Sequence, residues 1–156
     1  MESALFWGGK QSLLRYLAEI GDGRVDASQG AGAALDEGFV FPIVHADWAG
    51  PGSAGEIHAV GSVTLYGHGI RMGEIADPRV IFEAQHATLL VRRWANRDAM
   101  LSVAEFAPAE VVEVDGRLVW PTITLLESGR ELFDFRYDAG TALAPISFSA
   151  SVIRQV

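Results

Sequence analysis

Ile57-His58-Ala59-Val60-Gly61-Ser62-Val63-Thr64-Leu65-Tyr66-Gly67-His68-Gly69 is the stretch that decides the fold class. Ile57, Ala59, Val63 and Leu65 alternate with His58, Ser62 and Thr64, the period of a strand buried on one face. The pattern predicts a strand over 57–67 that ends in Gly-His-Gly. The same period runs through Phe39, Phe41 and Ile43, and further strands are expected near Val25 and over 79–83, 87–94, 100–106, 110–114, 117–120 and 146–154. Gly, Pro and Asp-Gly breaks separate them. Asp115-Gly116, between Val111–Val114 and Leu118–Trp120, is a two-residue hairpin signal.

Two segments carry a helical period instead. Leu13, Tyr16, Leu17 and Ile20 fall at i, i+3, i+4 and i+7, which predicts a helix over about 8–20 with Gly21 as a left-handed cap. Its start is the run Leu5-Phe6-Trp7-Gly8-Gly9-Lys10-Gln11-Ser12-Leu13-Leu14-Arg15-Tyr16. Thr124-Leu125-Leu126-Glu127 has capping-box spacing, so a second helix is expected over 125–136. Gly129 inside it costs about 1 kcal/mol relative to Ala. Many short strands with two helices imply a mainly-β (α+β) domain. It reads as an antiparallel β-sandwich or open barrel with helices over one side.

The chain has 156 residues, and no internal repeat or linker divides it, so one domain over 1–156 is expected. A net charge of −8 argues against a nucleic-acid or anionic-membrane binder, since both need a basic footprint. The absence of cysteine excludes disulfides, thiolate metal sites and thiol catalysis. No stretch reaches the eighteen or so apolar residues of a membrane span. Met1-Glu2-Ser3 is acidic and no secretory signal follows, so a cytoplasmic setting is expected.

Tyr16 is the residue on which chemistry centres. On the apolar face of the first helix, its phenol oxygen needs a partner. That partner is either a backbone group, as for an ordinary core tyrosine, or a hard cation such as ferric haem iron, which accepts tyrosinate. The histidines His45, His58, His68 and His86 have no metal-motif spacing, and neither a phosphate loop nor a nucleophile elbow is present. No enzyme machinery is legible.

Five stretches in order resemble the HtaA-type haem-binding domain of bacterial haem-uptake proteins. They are the opening Trp-Gly…Tyr segment, Gly38-Phe39-Val40-Phe41-Pro42, Gly61 to Gly69 with its Gly-His end, and Asp77-Pro78-Arg79-Val80-Ile81. The fifth is Thr124 to Thr141 with Gly129, Phe133, Tyr137, Ala139 and Gly140. The resemblance implies a protein that captures, stores or transfers ferric haem b, with Tyr16 as the iron ligand and His68 as its orienting partner. Tyr137 would line the pocket, and Trp7, Phe39 and Phe41 would pack on a porphyrin face. Ser12, with Lys10 and Arg15, would hold propionates. Partners would be haem and other haem-transfer proteins, and a homo-oligomer stays open. The family's usual surface-anchored setting departs from the cytoplasmic one expected here. A carrier of another flat apolar ligand, or an enzyme acting on the ligand, are the competing readings.

One steric difficulty precedes any structure. In strict alternation His68 shares a face with Thr64 and Tyr66, opposite Val63 and Leu65. To meet Tyr16, either the first helix covers that face or a bulge near Gly67 turns the side chain.

Overall fold

The computed structural model describes residues 3–94 and 96–153. In chain order it has β1 (Ala4–Trp7), α1 (Gln11–Glu19), β2 (Arg24–Ser28), β3 (Gly32–Ala34), β4 (Gly38–Trp48) and β5 (Gly55–Ala59). Then follow β6 (Ser62–Gly67), β7 (Ile70–Ala76), β8 (Arg79–Phe82), β9 (Ala87–Arg92), β10 (Met100–Phe106), β11 (Val112–Val114) and β12 (Arg117–Trp120). The chain finishes with β13 (Ile123–Leu125), β14 (Ala142–Leu143) and β15 (Ile146–Ser149). Short 3₁₀ turns lie at Pro108–Glu110, Glu127–Phe133 and Ala150–Val152.

All pairings are antiparallel. A twelve-stranded sheet runs β11-β12-β15-β1-β4-β5-β8-β9-β10-β13-β14, with β3 added on β4, and a three-stranded sheet runs β2-β6-β7. The long sheet does not close into a barrel, since β11 and β14 end its order. It coils over on itself instead. Trp120 of β12 lies 5.9 Å from Phe82 of β8 and 5.1 Å from Phe106 of β10 between centroids. Strands far apart in the sheet order thus share one aromatic core, a β-sandwich arrangement.

Three local expectations change. The alternation over 57–67 is two strands, because Gly61 turns at φ +120° between β5 and β6 and its N–H is held by Asp77 Oδ1 at 3.1 Å. The second helix is present but shorter than 125–136 and of 3₁₀ type, Glu127–Phe133 after β13, and Thr124 caps nothing: Leu126 is the N-cap, without a side-chain bond. Sheet pairing overrides the capping box. Leu125 N–H bonds Thr141 O at 2.9 Å, and Leu126 N–H bonds Val103 O at 2.8 Å. Gly129 is required by this docking, since a Cβ there would stand 2.3 Å from Val103 O.

The first helix is shorter than 8–20 and lacks the glycine cap. It ends at Glu19, with Ile20 already extended and its N–H on Tyr16 O. Gly21 has no left-handed backbone. The close approach belongs to Gly23, where a Cβ would overlap Leu17 O at 1.9 Å.

Candidate functional site

α1 is amphipathic, and its rotation sorts its residues. At 100° per residue, Leu13, Leu14 and Leu17 form the buried stripe and Tyr16 sits on one shoulder of it. Tyr16 is therefore 43% exposed, not turned into the interior as its spacing suggested. Its phenol does find a partner. Tyr16 Oη and His68 Nε2 are hydrogen-bonded, with ring centroids 5.7 Å apart.

Three features bring His68 there. α1 packs on the Val63/Leu65/Gly67 face of β6, where Gly67 has no side chain to fend it off. A Cβ at Gly67 would lie 2.9 Å from Leu17 Cδ2 and 3.0 Å from Ile20 Cδ1. The β6–β7 register shifts between Leu65 and Tyr66, leaving Met72 as an extra residue in β7. His68 itself, at φ +54°, is a turn residue with Gly69 at φ +75°. His68 has left the strand alternation because it stands in the turn; the bulge lies in β7, and β6 keeps its alternation through Gly67.

The turn is also tied to the helix from behind. Gly69 N–H donates to Asp22 Oδ2 at 2.8 Å. The backbone N–H of His68, ahead of that of Gly69, holds the exposed Asp22 carboxyl below its ordinary range.

The other residues singled out by sequence divide into two groups. Ser12 is exposed four residues before Tyr16, beside it on the surface of α1. Lys10, the N-cap of α1, stands apart from them against Tyr137. Lys10 Nζ is 5.6 Å from its ring centroid, and Phe133 meets it edge-on at 5.5 Å. From Lys10 to Tyr16 the helix rises about 9 Å. A small hollow lined by Lys10, Leu13, Met72 and Phe133 lies beside the start of α1, with a volume of about 10 Å³, room for one water. Ile70, two residues after His68, and Phe135, two after Phe133, are exposed apolar side chains.

Trp7, Phe39 and Phe41 belong to the core, buried at 1%, 3% and 0% exposure. Trp7 Nε1 donates to Ala144 O at 3.1 Å. None presents a face at Tyr16. Arg15 lies a further 100° round the helix and lines a different, larger cavity of about 1060 Å³, together with Leu14, Phe6, Val40 and Arg117. Trp7 and Phe39 touch that cavity, but its lining contains no His, Tyr, Met or Cys, so it offers iron none of its usual axial ligands. The larger of these two hollows and the Tyr16–His68 pair are on opposite flanks of α1.

The HtaA family model matches residues 2–149. The chain belongs to the HtaA family. Its fold is that of solved members from Corynebacterium glutamicum. The C-terminal domain of HtaA is 23% identical over 95% of this chain and 94% of that one, with a TM-score of 0.74. The N-terminal domain of HtaA is 21% identical over 95% and 96%, with a TM-score of 0.67. The haem-binding protein HtaB is 19% identical over 94% and 91%, with a TM-score of 0.65. No curated protein sequence matches the chain.

Asp22 escaped the sequence reading, whereas the close approach at Gly67 was expected from the glycines flanking His68. The only available signal for Asp22 was its position in Gly21-Asp22-Gly23, directly after the Tyr16 helix.

Proposed function

We propose that this HtaA-family protein binds ferric haem at Tyr16 and passes it on. The observation that carries the reading is the pairing of an exposed phenol oxygen on α1 with an imidazole nitrogen of the β6–β7 turn. A phenol of pKa about 10 ligates at neutral pH only when a metal displaces its proton, and ferric iron, a hard and highly charged cation, does so. His68 fits both protonation states of its partner. Toward a neutral phenol Nε2 accepts; toward a phenolate the other tautomer donates through Nε2–H and steadies the negative charge.

Haem, as cargo, would supply the iron and an apolar disc. The chain would supply the rest. Leu13 and Met72 line a small hollow beside α1, while Ser12, next to Tyr16 on the helix surface, and Lys10 at the helix start would meet propionates. Family membership and the likeness to the haem-binding protein HtaB support this reading. An open, one-residue ligand site suits exchange of haem between proteins, with HtaA-type donors and acceptors as partners. Adding haemin to the purified protein tests it: a stoichiometric high-spin ferric phenolate spectrum is expected, and a spectrum of merely adsorbed haem would refute it.

A further inference from the structure

We infer that Asp22 is a positioning residue for the Tyr16–His68 pair, acting by holding the His68-Gly69 turn to the end of the helix that carries Tyr16. The role rests on the haem reading for its purpose, but its geometry stands without haem.

The turn has an intrinsic problem. Both central residues have positive φ, at +54° for His68 and +75° for Gly69. Gly69 adopts this freely, but a side chain at such φ is disfavoured. Gly67 and Gly69 on either side widen the choice of conformations further. Nothing in the local sequence therefore fixes the direction in which the imidazole leaves the hairpin. The direction must come from outside it.

Asp22 provides that constraint. Its Oδ2 accepts the Gly69 N–H at 2.8 Å, and the neighbouring His68 N–H helps hold its carboxyl in the charged form. Among the described residues Asp22 forms no salt bridge, so these amides are its polar partners. Its backbone follows α1 directly: Ile20 N–H closes on Tyr16 O at 3.2 Å, and Asp22 is two residues on. The hydrogen bonds thus close a loop from Tyr16 through α1 to Asp22, across to the turn, and through the His68 ring back to Tyr16 Oη. An aspartate is the right length; its carboxylate also favours the charged form when amides donate to it.

The test has two arms. In the ligand-free protein, the His68 and Gly69 amide protons should be shifted downfield and slow to exchange, and a ring-to-ring NOE should join Tyr16 and His68. Asp22→Ala should abolish all three, and Asp22→Asn, which keeps an acceptor oxygen, should restore them in part. In the haem-loaded protein, Asp22→Ala should speed ferric haem transfer to apomyoglobin several-fold. The same change should have no further effect in a His68→Ala background, because Asp22 acts through His68. An unchanged Tyr16–His68 NOE in Asp22→Ala overturns the inference, as does an equal acceleration with and without His68. Wild-type protein that binds no haem overturns the functional reading instead, and the first arm still decides the role of Asp22.

Discussion

Gly67→Ala measures how closely the helix must approach the hairpin for the site to exist. The new methyl would lie 2.8 Å from Met72 Sδ, 2.9 Å from Leu17 Cδ2 and 3.0 Å from Ile20 Cδ1. Comfortable contact needs about 3.5–4.0 Å, so α1 must retreat by roughly 0.5–1 Å or the three side chains must leave their rotamers. Overpacking of this kind costs about 1–3 kcal/mol. Gly67 is in a strand without positive φ, so replacing glycine returns about 0.5–1 kcal/mol of unfolded-state entropy. The net loss is about 1–2 kcal/mol, a fall of about 2–8 °C in Tm for a domain of this size. Retreat of the helix also lengthens and weakens the Tyr16 Oη–His68 hydrogen bond, so ferric haem should dissociate faster. Gly21→Ala is the control, with no atom within 4 Å of its Cβ, and should melt at or slightly above the wild-type temperature. Calorimetry and haem transfer to apomyoglobin provide both readouts. A Gly67→Ala protein as stable as wild type, with unchanged haem retention, would refute the steric argument.

Other consequences are as direct. His68→Ala should weaken ferric haem retention about 10–100-fold, the usual cost of losing an orienting partner, while the phenolate spectrum persists; transfer at the wild-type rate would remove His68 from the site. Reduction with dithionite should speed haem release, because ferrous iron is softer and holds one charge less against a phenolate, and equal ferric and ferrous rates would count against phenolate ligation. His58 has its pKa lowered by burial first and by Arg79 second, with Glu56 opposing. The unfolded chain therefore binds more protons in the window just below about pH 6.5, and stability falls as pH drops through that window. His58→Gln should flatten the Tm-against-pH curve between about pH 5 and 7, whereas a slope identical to wild type would show that His58 does not set it.

What the sequence made legible was local, and what it concealed was tertiary. Asp115-Gly116 makes a hairpin turn from its own φ preferences, at +51° and +78°, so β11 and β12 were readable. β1 was not, because Ala4-Leu5-Phe6-Trp7 is apolar throughout, and its strand character comes from pairing with Phe41 and with Phe148. β7 was hidden for a different reason: the bulge at Met72 breaks the period that alternation needs. At the site, helical spacing picked out Tyr16 as facing Leu13 and Leu17 but could not say that it sits on the shoulder of the stripe. The Gly67-His68-Gly69 triplet pointed to His68 only through family resemblance. Its approach to Tyr16 depends on the missing side chain at Gly67 and on Asp22, contacts that no sequence period encodes.

The central claim is that one phenol oxygen holds the iron, and Tyr16→Phe tests it with the loss of a single atom. The ring keeps its place on the shoulder of α1, so folding and the Tm should stay close to wild type. Ferric haem added to Tyr16→Phe should show no phenolate-to-iron charge-transfer absorption and should pass to apomyoglobin far faster than from wild type. A Tyr16→Phe protein with the wild-type ferric spectrum and transfer rate would contradict the account.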